Sequence, residues 1–428
     1  ITITHLIDHT SGIREVGRLW SLQGITWWKQ TLTNTDAFQL LQQQKSLNFR
    51  PGSRHLYCNS NYLLLTEIVS RVSKLSFLEF SNQLFADLGM NETAFLADHT
   101  LPVPNLAKPY FNFDTWKGYD WLSDLHGDGA LFSSLSDQLK WEMILQNGES
   151  KGLSNQLIAK SQKPIQGSSI ATYGFGLELE DVRGLPCRLH HGSTGAWKAS
   201  TIRLPTQDLS VVVLTNSGAT WPPSLVLQCA EVILGADKFP ATTFPLQPEE
   251  IGAAIPREEL IGTYCTDFGQ YLRIKEHKDT LFLERFGRKD IILEKVSGSL
   301  YQEVTDPAFK QSFTRDQAGQ LKITFYYPTH APYSFNKVNI DPAAFNFKAA
   351  EGAYVNHETK AEIRILHLAD GNYQVNIRKK NREGKLYEPN QLVLRNYRLE
   401  LVFDEGGMAS HFMYFDDRSK NIRFDRIE

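Results

Sequence analysis

Cysteine is scarce in these 428 residues: Cys58, Cys187, Cys229 and Cys265 stand far apart, with no Cys-x-x-Cys pair among them. Neither a zinc knuckle nor a disulfide framework is signalled. An excess of one charge is lacking too, since 45 basic side chains meet 48 acidic ones for a formal charge of -3. Nucleic acid and anionic lipid attract long basic stripes, and so balanced a chain gives no sign of one. No nucleic-acid partner is expected. With no low-complexity tract, the collagen-like and disordered classes drop out. No apolar run approaches the roughly 18 residues of a membrane-spanning helix. An initiator Met and a signal peptide are also missing, because Ile1-Thr2-Ile3-Thr4 runs at once into an apolar-periodic helical segment. The expectation is a piece of something longer, with any targeting signal upstream.

What is present is ordinary globular composition, 41% hydrophobic and 22% charged, at about three times the roughly 150 residues of one domain. The first 235 residues mix helical and strand patterns, as an α/β or α+β domain would. Asn59-Ser60-Asn61 reads as an Asn/Ser cap ahead of a buried helix over 62–72, and 136–145 as a second helix. The period then changes. Segments 173–179, 200–204 and 209–214 are β-rich and predict a meander, closed by a helix from about 223 to 234 that opens on Pro222 and Pro223. Pro240, Pro245, Pro248 and Pro256 mark an aperiodic linker over 237–256, since proline fixes φ and donates no hydrogen bond. Beyond it, short strands at 271–274, 280–283, 290–293 and 321–327 predict a small barrel or sandwich. Gly262-Thr263-Tyr264 is echoed by Gly352-Ala353-Tyr354, and Leu272-Arg273-Ile274 by Ile363-Arg364-Ile365, so two β units are expected, over 257–342 and 343–428.

Three places carry residues fit for chemistry. His5-Leu6-Ile7-Asp8-His9 sets two imidazoles four apart on a predicted helix face, near an inverted zincin pattern. Asp8 is one methylene shorter than the Glu that pattern needs, and capping or surface histidines are commoner, so no metal is assigned. His190-His191-Gly192-Ser193-Thr194-Gly195 falls one residue short of a nucleophile elbow, and Lys198 to Leu204 read as a strand where an elbow needs a helix. The cluster is placed at a hairpin. Third, Pro51-Gly52-Ser53 and Tyr57-Cys58-Asn59 form a turn that delivers Tyr57 and Asn59 just ahead of the buried helix.

In order along the chain stand His9-Thr10-Ser11-Gly12, Tyr57-x-Asn59, Gly127-Asp128-Gly129-Ala130-Leu131-Phe132-Ser133, Tyr173-Gly174-Phe175-Gly176 and His190-x-Gly192. Together they resemble the penicillin-recognising serine hydrolases, in the branch of class C β-lactamases, D-aminopeptidases and esterases, over residues 1–236. The resemblance implies a serine acyl-enzyme. Tyr57 would shuttle the proton as a phenolate held low by neighbouring cations. Asn59 would bond the family's lysine and the substrate amide, and His190 would stand in for the Lys of Lys-Thr-Gly as a donor beside Tyr57. Ser193 would give an oxyanion-hole N–H, and Gly192 would leave room for substrate. Cys58 stands where relatives often carry Ser.

The departure from the family is the nucleophile. Only Ser334-Phe335-Asn336-Lys337 fits Ser-x-x-Lys, inside the β-rich tail, so the nucleophile is expected outside this chain and the fragment alone inactive. The tail resembles the lipocalin-like β domains of some relatives, with structural support or substrate gating as its expected role. Its aromatics, Tyr326, Tyr327, Tyr333, Tyr354, Phe412, Tyr414 and Phe415, are expected to form core. The expected fold is therefore α+β, a β-lactamase-like hydrolase domain with an antiparallel sheet and helices, followed by two antiparallel β-barrel-like domains. The expected substrate is a small molecule or short peptide (a D-peptide, a β-lactam or an ester), with no cofactor. The resemblance further implies a periplasmic or secreted protein. The rival reading is a non-catalytic binding protein that uses its β domains.

Overall fold

The computed structural model describes all residues except 113–114, 241–253, 267–268, 328–329, 370, 396 and 428. The chain divides into two compact units, Ile1–Ala241 and Thr242–Glu428. Most of the linker expected over 237–256, with Pro245 and Pro248, lies outside the described residues.

The first unit begins with helices α1 (Ile3–Ile7), α2 (Val16–Leu22), α3 (Asn34–Gln42), α4 (Asn59–Ser73) and α5 (Phe77–Asp87). Their starts obey local sequence rules: Thr33 with Asp36, and Ser76 with Glu79, close capping boxes on α3 and α5. Two expectations fail here. The helix α1 stops at Ile7, because the Asp8 carboxylate turns back to accept the Thr10 N–H and hydroxyl, and His9 takes a left-handed φ of 57°. His5 and His9 therefore do not share a helix face. The N-terminus of α4 is not capped by an Asn or Ser side chain either. Cys58 occupies the cap position without a side-chain bond, and a carboxylate oxygen of Glu15 accepts the Asn59 N–H at 2.7 Å. A charged acceptor from another segment satisfies a helix dipole that the local sequence leaves open.

Next come two small antiparallel pairings, β1 (Ala94–Phe95) with β4 (Leu131–Phe132), and β2 (Tyr110–Asn112) with β3 (Trp116–Gly118). Helices α6 (Leu135–Asn147) and α7 (Asn155–Ser161) lead into the main sheet. That sheet runs β5 (Glu178–Val182), β6 (Leu185–Thr194), β7 (Trp197–Leu204) and β8 (Leu209–Thr215) in order, every pairing antiparallel, which makes the unit α+β. The strand expected from 173 starts only at Glu178. The Gly174 N–H bonds the Leu177 carbonyl at 2.8 Å and Gly176 sits at a φ of 75°, so the glycines form a turn. The helix α8 (Pro222–Leu234) lies over the sheet, its Val226 and Ala230 closing a core with Cys187, Leu189, Ile202, Leu204 and Val211.

The second unit resolves the choice between barrel and sandwich. It holds two closed eight-stranded antiparallel barrels, β9 (Gly262–Cys265) through β16 (His330–Lys337), and β17 (Gly352–Val355) through β24 (Ile422–Arg426). Each is a meander whose first strand pairs with its last. Closure removes the open edges that short strands otherwise expose. Among the aromatics expected in the core, Tyr326, Tyr354, Phe412 and Tyr414 are buried, while Tyr333 is 40% exposed. The side chain of Tyr327 is outside the described ones. Ser334 lies within β16 with its hydroxyl 2.9 Å from that of Thr324. Residues three apart on a strand point to opposite faces, so Ser334 and Lys337 cannot work as the serine and lysine of one helix turn.

Candidate active site

The segment before α4 and the far half of β6 meet in the first unit. Pairing of β5 with β6 ends at Glu178 opposite Leu189, so His190 to Thr194 run on with β7 on one side and past the end of β5 on the other. His190 projects from this stretch toward Tyr57, their ring centroids 6.1 Å apart. Beneath them lies His9, whose ring is 4.2 Å from that of Tyr57 and 5.1 Å from that of Tyr62. Tyr173 completes the cluster: its hydroxyl oxygen is 3.2 Å from Nε2 of His9 and 3.2 Å from Nε2 of His190.

Burial governs the charge state of this cluster. It pushes His190 below the ordinary histidine range and Tyr173 far above the tyrosine range, with the neighbouring Tyr62, Tyr57 and Glu178 raising Tyr173 further. His190 is therefore a neutral hydrogen-bonding group near pH 7 and does not itself supply positive charge beside Tyr57. His191, the next residue, faces away and meets Ser200 Oγ through Nδ1 at 2.7 Å. Cys58 is buried and its thiol is pushed well up by desolvation, so it is an inert space-filler.

Acids lie on the other flank. Glu15, which holds the Asn59 N–H, raises the carboxyl of Asp128, already shifted by burial, to about 7. Gly129, next to Asp128, faces Thr194 at the end of β6, where a Cβ would lie in ordinary contact, 3.6 Å from Thr194 Oγ1. Around Gly192, by contrast, an added Cβ would meet nothing within 4 Å. Space above the strand is open there.

The structure thus brings Tyr57 and His190 together, with Gly192 and Ser193 exposed on the same strand and Asn59 at the first turn of α4. Ser193 directs its hydroxyl to the Gly195 carbonyl at 3.1 Å, as a turn residue does. His9, Tyr173, Glu15 and Asp128 have no role among the sequence-based expectations, although three of them sit inside motifs that carry the resemblance. Their roles depend on contacts between residues up to 164 positions apart. Among the described residues, one group has metal-ligand composition: Asp98, His99 and Asp124. Asp124 Oδ1 is 2.9 Å from His99 Nδ1, and Asp98 accepts from Thr100, so those atoms already have partners within the protein. A concavity of about 340 Å³ beside α3 and α4 is lined by Phe38, Leu41, Leu47 and Leu64 among others, not by Tyr57 or His190.

Residues 1–225 match the family model described as Beta-lactamase. The D-aminopeptidase of Cereibacter sphaeroides is 28% identical over 230 residues, which cover 51% of this chain and 43% of that protein. The D-aminopeptidase of Gluconobacter oxydans is 26% identical over 226 residues, covering 50% of this chain and 41% of that protein. The chain spans less than half the length of these curated relatives. Among solved structures, the octameric penicillin-binding protein homologue from Pyrococcus abyssi superposes with a TM-score of 0.51 at 21% identity, over 79% of this chain and 78% of that one. At that identity the likeness is one of fold.

Proposed function

The chain belongs to the beta-lactamase family, and from that premise we propose that it contributes the tyrosine and histidine half of a serine hydrolase site that cleaves amide or ester bonds through an acyl-enzyme. The observation that carries this reading is the convergence of Tyr57 and His190 beside an open strand segment at Gly192 and Ser193. In the proposed cycle a serine hydroxyl adds to the substrate carbonyl and Tyr57, starting as its phenolate, takes the hydroxyl proton. Tyr57 then hands that proton to the departing amine or alcohol, and water releases the acyl group by the same route reversed. Ser193 N–H is assigned to the carbonyl oxygen as charge develops on it. Asn59 is assigned to the substrate amide, and His190 to donating a hydrogen bond at the substrate's far end.

The nucleophile is assigned to a segment outside these 428 residues, because the one Ser-x-x-Lys here lies on a barrel strand. The curated D-aminopeptidase relatives favour a short peptide or amide with a D-residue as substrate. The same missing serine favours a second reading, a non-catalytic binding protein whose barrels hold the ligand. A fluorophosphonate or a fluorescent penicillin applied to the full-length gene product separates the two. Label on a serine outside residues 1–428, abolished by Tyr57→Phe, supports the enzyme. Absence of label together with ligand binding by residues 257–428 supports the binding protein.

A further inference from the structure

We propose that Tyr173 and His9 are positioning residues that fix the ring proton of His190 on Nδ1. The inference rests on reading His190 as a donor in the pocket, and it says which nitrogen donates.

The chain of hydrogen bonds has one end whose polarity is settled. Nδ1 of His9 receives the backbone N–H of Cys58 at 3.1 Å. A peptide N–H can only donate, so Nδ1 of His9 carries no proton. The Asn61 amide agrees, since its Oδ1 accepts from Ser11 Oγ at 2.7 Å, which turns its NH2 toward His9 Nδ1 at 3.4 Å. His9 is therefore neutral with its proton on Nε2, and that N–H points at the Tyr173 oxygen at 3.2 Å. Having accepted there, Tyr173 has one hydrogen to give. Two groups face it. The Tyr62 hydroxyl already gives its own hydrogen to the Ile7 carbonyl at 3.0 Å and offers only a phenol oxygen, whereas Nε2 of His190, at 3.2 Å, is the more basic acceptor. His190 thus accepts at Nε2, and in its neutral form it bears the proton on Nδ1.

The titratable groups that face this chain among the described residues leave that order undisturbed. Tyr57 and His191 flank His190; Tyr62, Tyr57, Glu178 and His55 flank Tyr173; His55, Tyr57 and Tyr62 flank His9, with Asp8 behind His55 and Tyr62. None brings a cation to Nε2 of His190. The consequence for recognition is specific: a histidine standing where the family resemblance places a lysine donates in one direction only, and Tyr173 chooses that direction.

The test is a long-range 15N–1H correlation spectrum of the 428-residue chain with 15N-labelled histidine, the His190 signals being identified by their loss in His190→Gln. The expected result is an unprotonated Nε2 and a protonated Nδ1 on His190 in the unsubstituted protein. Tyr173→Phe removes the donor and shifts His190 toward the Nε2-protonated form, while His9 keeps its proton on Nε2. An Nε2-protonated His190 in the unsubstituted chain overturns the proposal and needs no variant to fold. So does a His190 spectrum unchanged by Tyr173→Phe in a chain with intact fluorescence. Because the readout needs no turnover, a failure of the acyl-enzyme reading would leave this result standing.

Discussion

Glu15 caps a helix it does not belong to: its carboxylate accepts the backbone N–H of Asn59, 44 positions later, at 2.7 Å. The helix α4 has no cap from its own Cys58, so this bond orders both the helix start and the Tyr57 segment that leads into it. Glu15→Ala is expected to cost about 1 to 2 kcal/mol, the range for losing a charged helix cap. Glu15→Gln keeps an acceptor and should cost less. All 8 tryptophans precede the second unit, so the loss is read in urea denaturation followed by tryptophan fluorescence. Equal stability of Glu15→Ala and the unsubstituted protein would show that water caps α4 just as well.

The carboxyl that Glu15 perturbs makes stability depend on pH. Burial first, and the Glu15 charge second, raise Asp128 from 3.8 to about 7. The folded state therefore binds a proton between about pH 4 and pH 7 that the unfolded chain has released. The stability this gives is present in full below about pH 4 and lost as pH rises through about 7. Asp128→Asn has no such proton, so the stability of the unsubstituted protein relative to this variant should fall from pH 4.5 to pH 8. Glu15→Gln should move the fall to lower pH. A difference between the two proteins that stays flat across this range would mean that Asp128 is solvated and ionised throughout.

Deeper in the same unit, Arg203 Nη1 meets Glu142 Oε2 at 2.5 Å, and Arg203 Nη2 meets Gln162 Oε1 at 2.5 Å. Both charged residues are buried, and desolvation shifts each toward its neutral form: Glu142 upward and Arg203 downward, in spite of the mutual attraction. The pair is thus weak as a source of net stability but expensive to break. Arg203→Met alone is expected to cost about 3 to 5 kcal/mol, because it strands a buried carboxyl. Adding Glu142→Leu should recover a large part of that loss. The single variant should also weaken further as pH rises, since its unpaired Glu142 must then ionise in the core. If the double variant falls below the unsubstituted protein by as much as Arg203→Met does, the pair stabilises the fold outright.

The barrels repeat one local device. Tyr264 donates to the Leu260 carbonyl at 2.8 Å, and Tyr354 to the Ala350 carbonyl at 3.0 Å, both rings fully buried. Two residues before each stands a glycine, Gly262 at a φ of 143° and Gly352 at 150°, conformations that disfavour a Cβ. Each Tyr→Phe change removes the donor from a buried carbonyl and should cost about 1 to 2 kcal/mol. The two losses should be similar, because the four-residue bond recurs in both barrels, with the Ala409 carbonyl a second, longer acceptor for Tyr354 at 3.5 Å. Thermal unfolding followed by tyrosine fluorescence checks this. A negligible loss in one barrel only would show that its tyrosine is held by packing alone.

This repeat was legible as Gly-x-Tyr in the sequence because it is local, four residues from donor to acceptor. Four strand runs of the first barrel were legible as short apolar runs between polar turns, and the second barrel was legible only through the echo of Gly262-Thr263-Tyr264 and Leu272-Arg273-Ile274. In the first unit the ordered motifs located Tyr57, Asn59 and His190, yet the chemistry joining them was not legible. Nothing near Tyr173 in the sequence says that its hydroxyl sits between His9 and His190, and nothing near Asn59 points to Glu15. Helix α1 misled in the opposite way: the spacing of His5 and His9 fits a helix, but the Asp8 side chain ends that helix at Ile7, before His9 is reached.

The last prediction separates fold from recognition at two glycines three residues apart. Gly195 turns the β6 to β7 hairpin at a φ of 60°, and a Cβ there would sit 2.5 Å from the Tyr119 ring. Gly195→Ala must therefore strain the backbone and displace an aromatic ring, and is expected to cost about 1 to 3 kcal/mol. Gly192 is exposed, has no left-handed φ, and an added Cβ would meet nothing within 4 Å. The fold has no use for a glycine there, so if one is needed, a bound molecule needs it. Gly192→Val should leave the tryptophan-monitored stability within about 0.5 kcal/mol of the unsubstituted protein, as for surface changes in general. In the full-length gene product the same change should cut labelling by a fluorophosphonate at least tenfold. Undiminished labelling would move the substrate off this stretch of β6, and the oxyanion role of the Ser193 N–H would go with it.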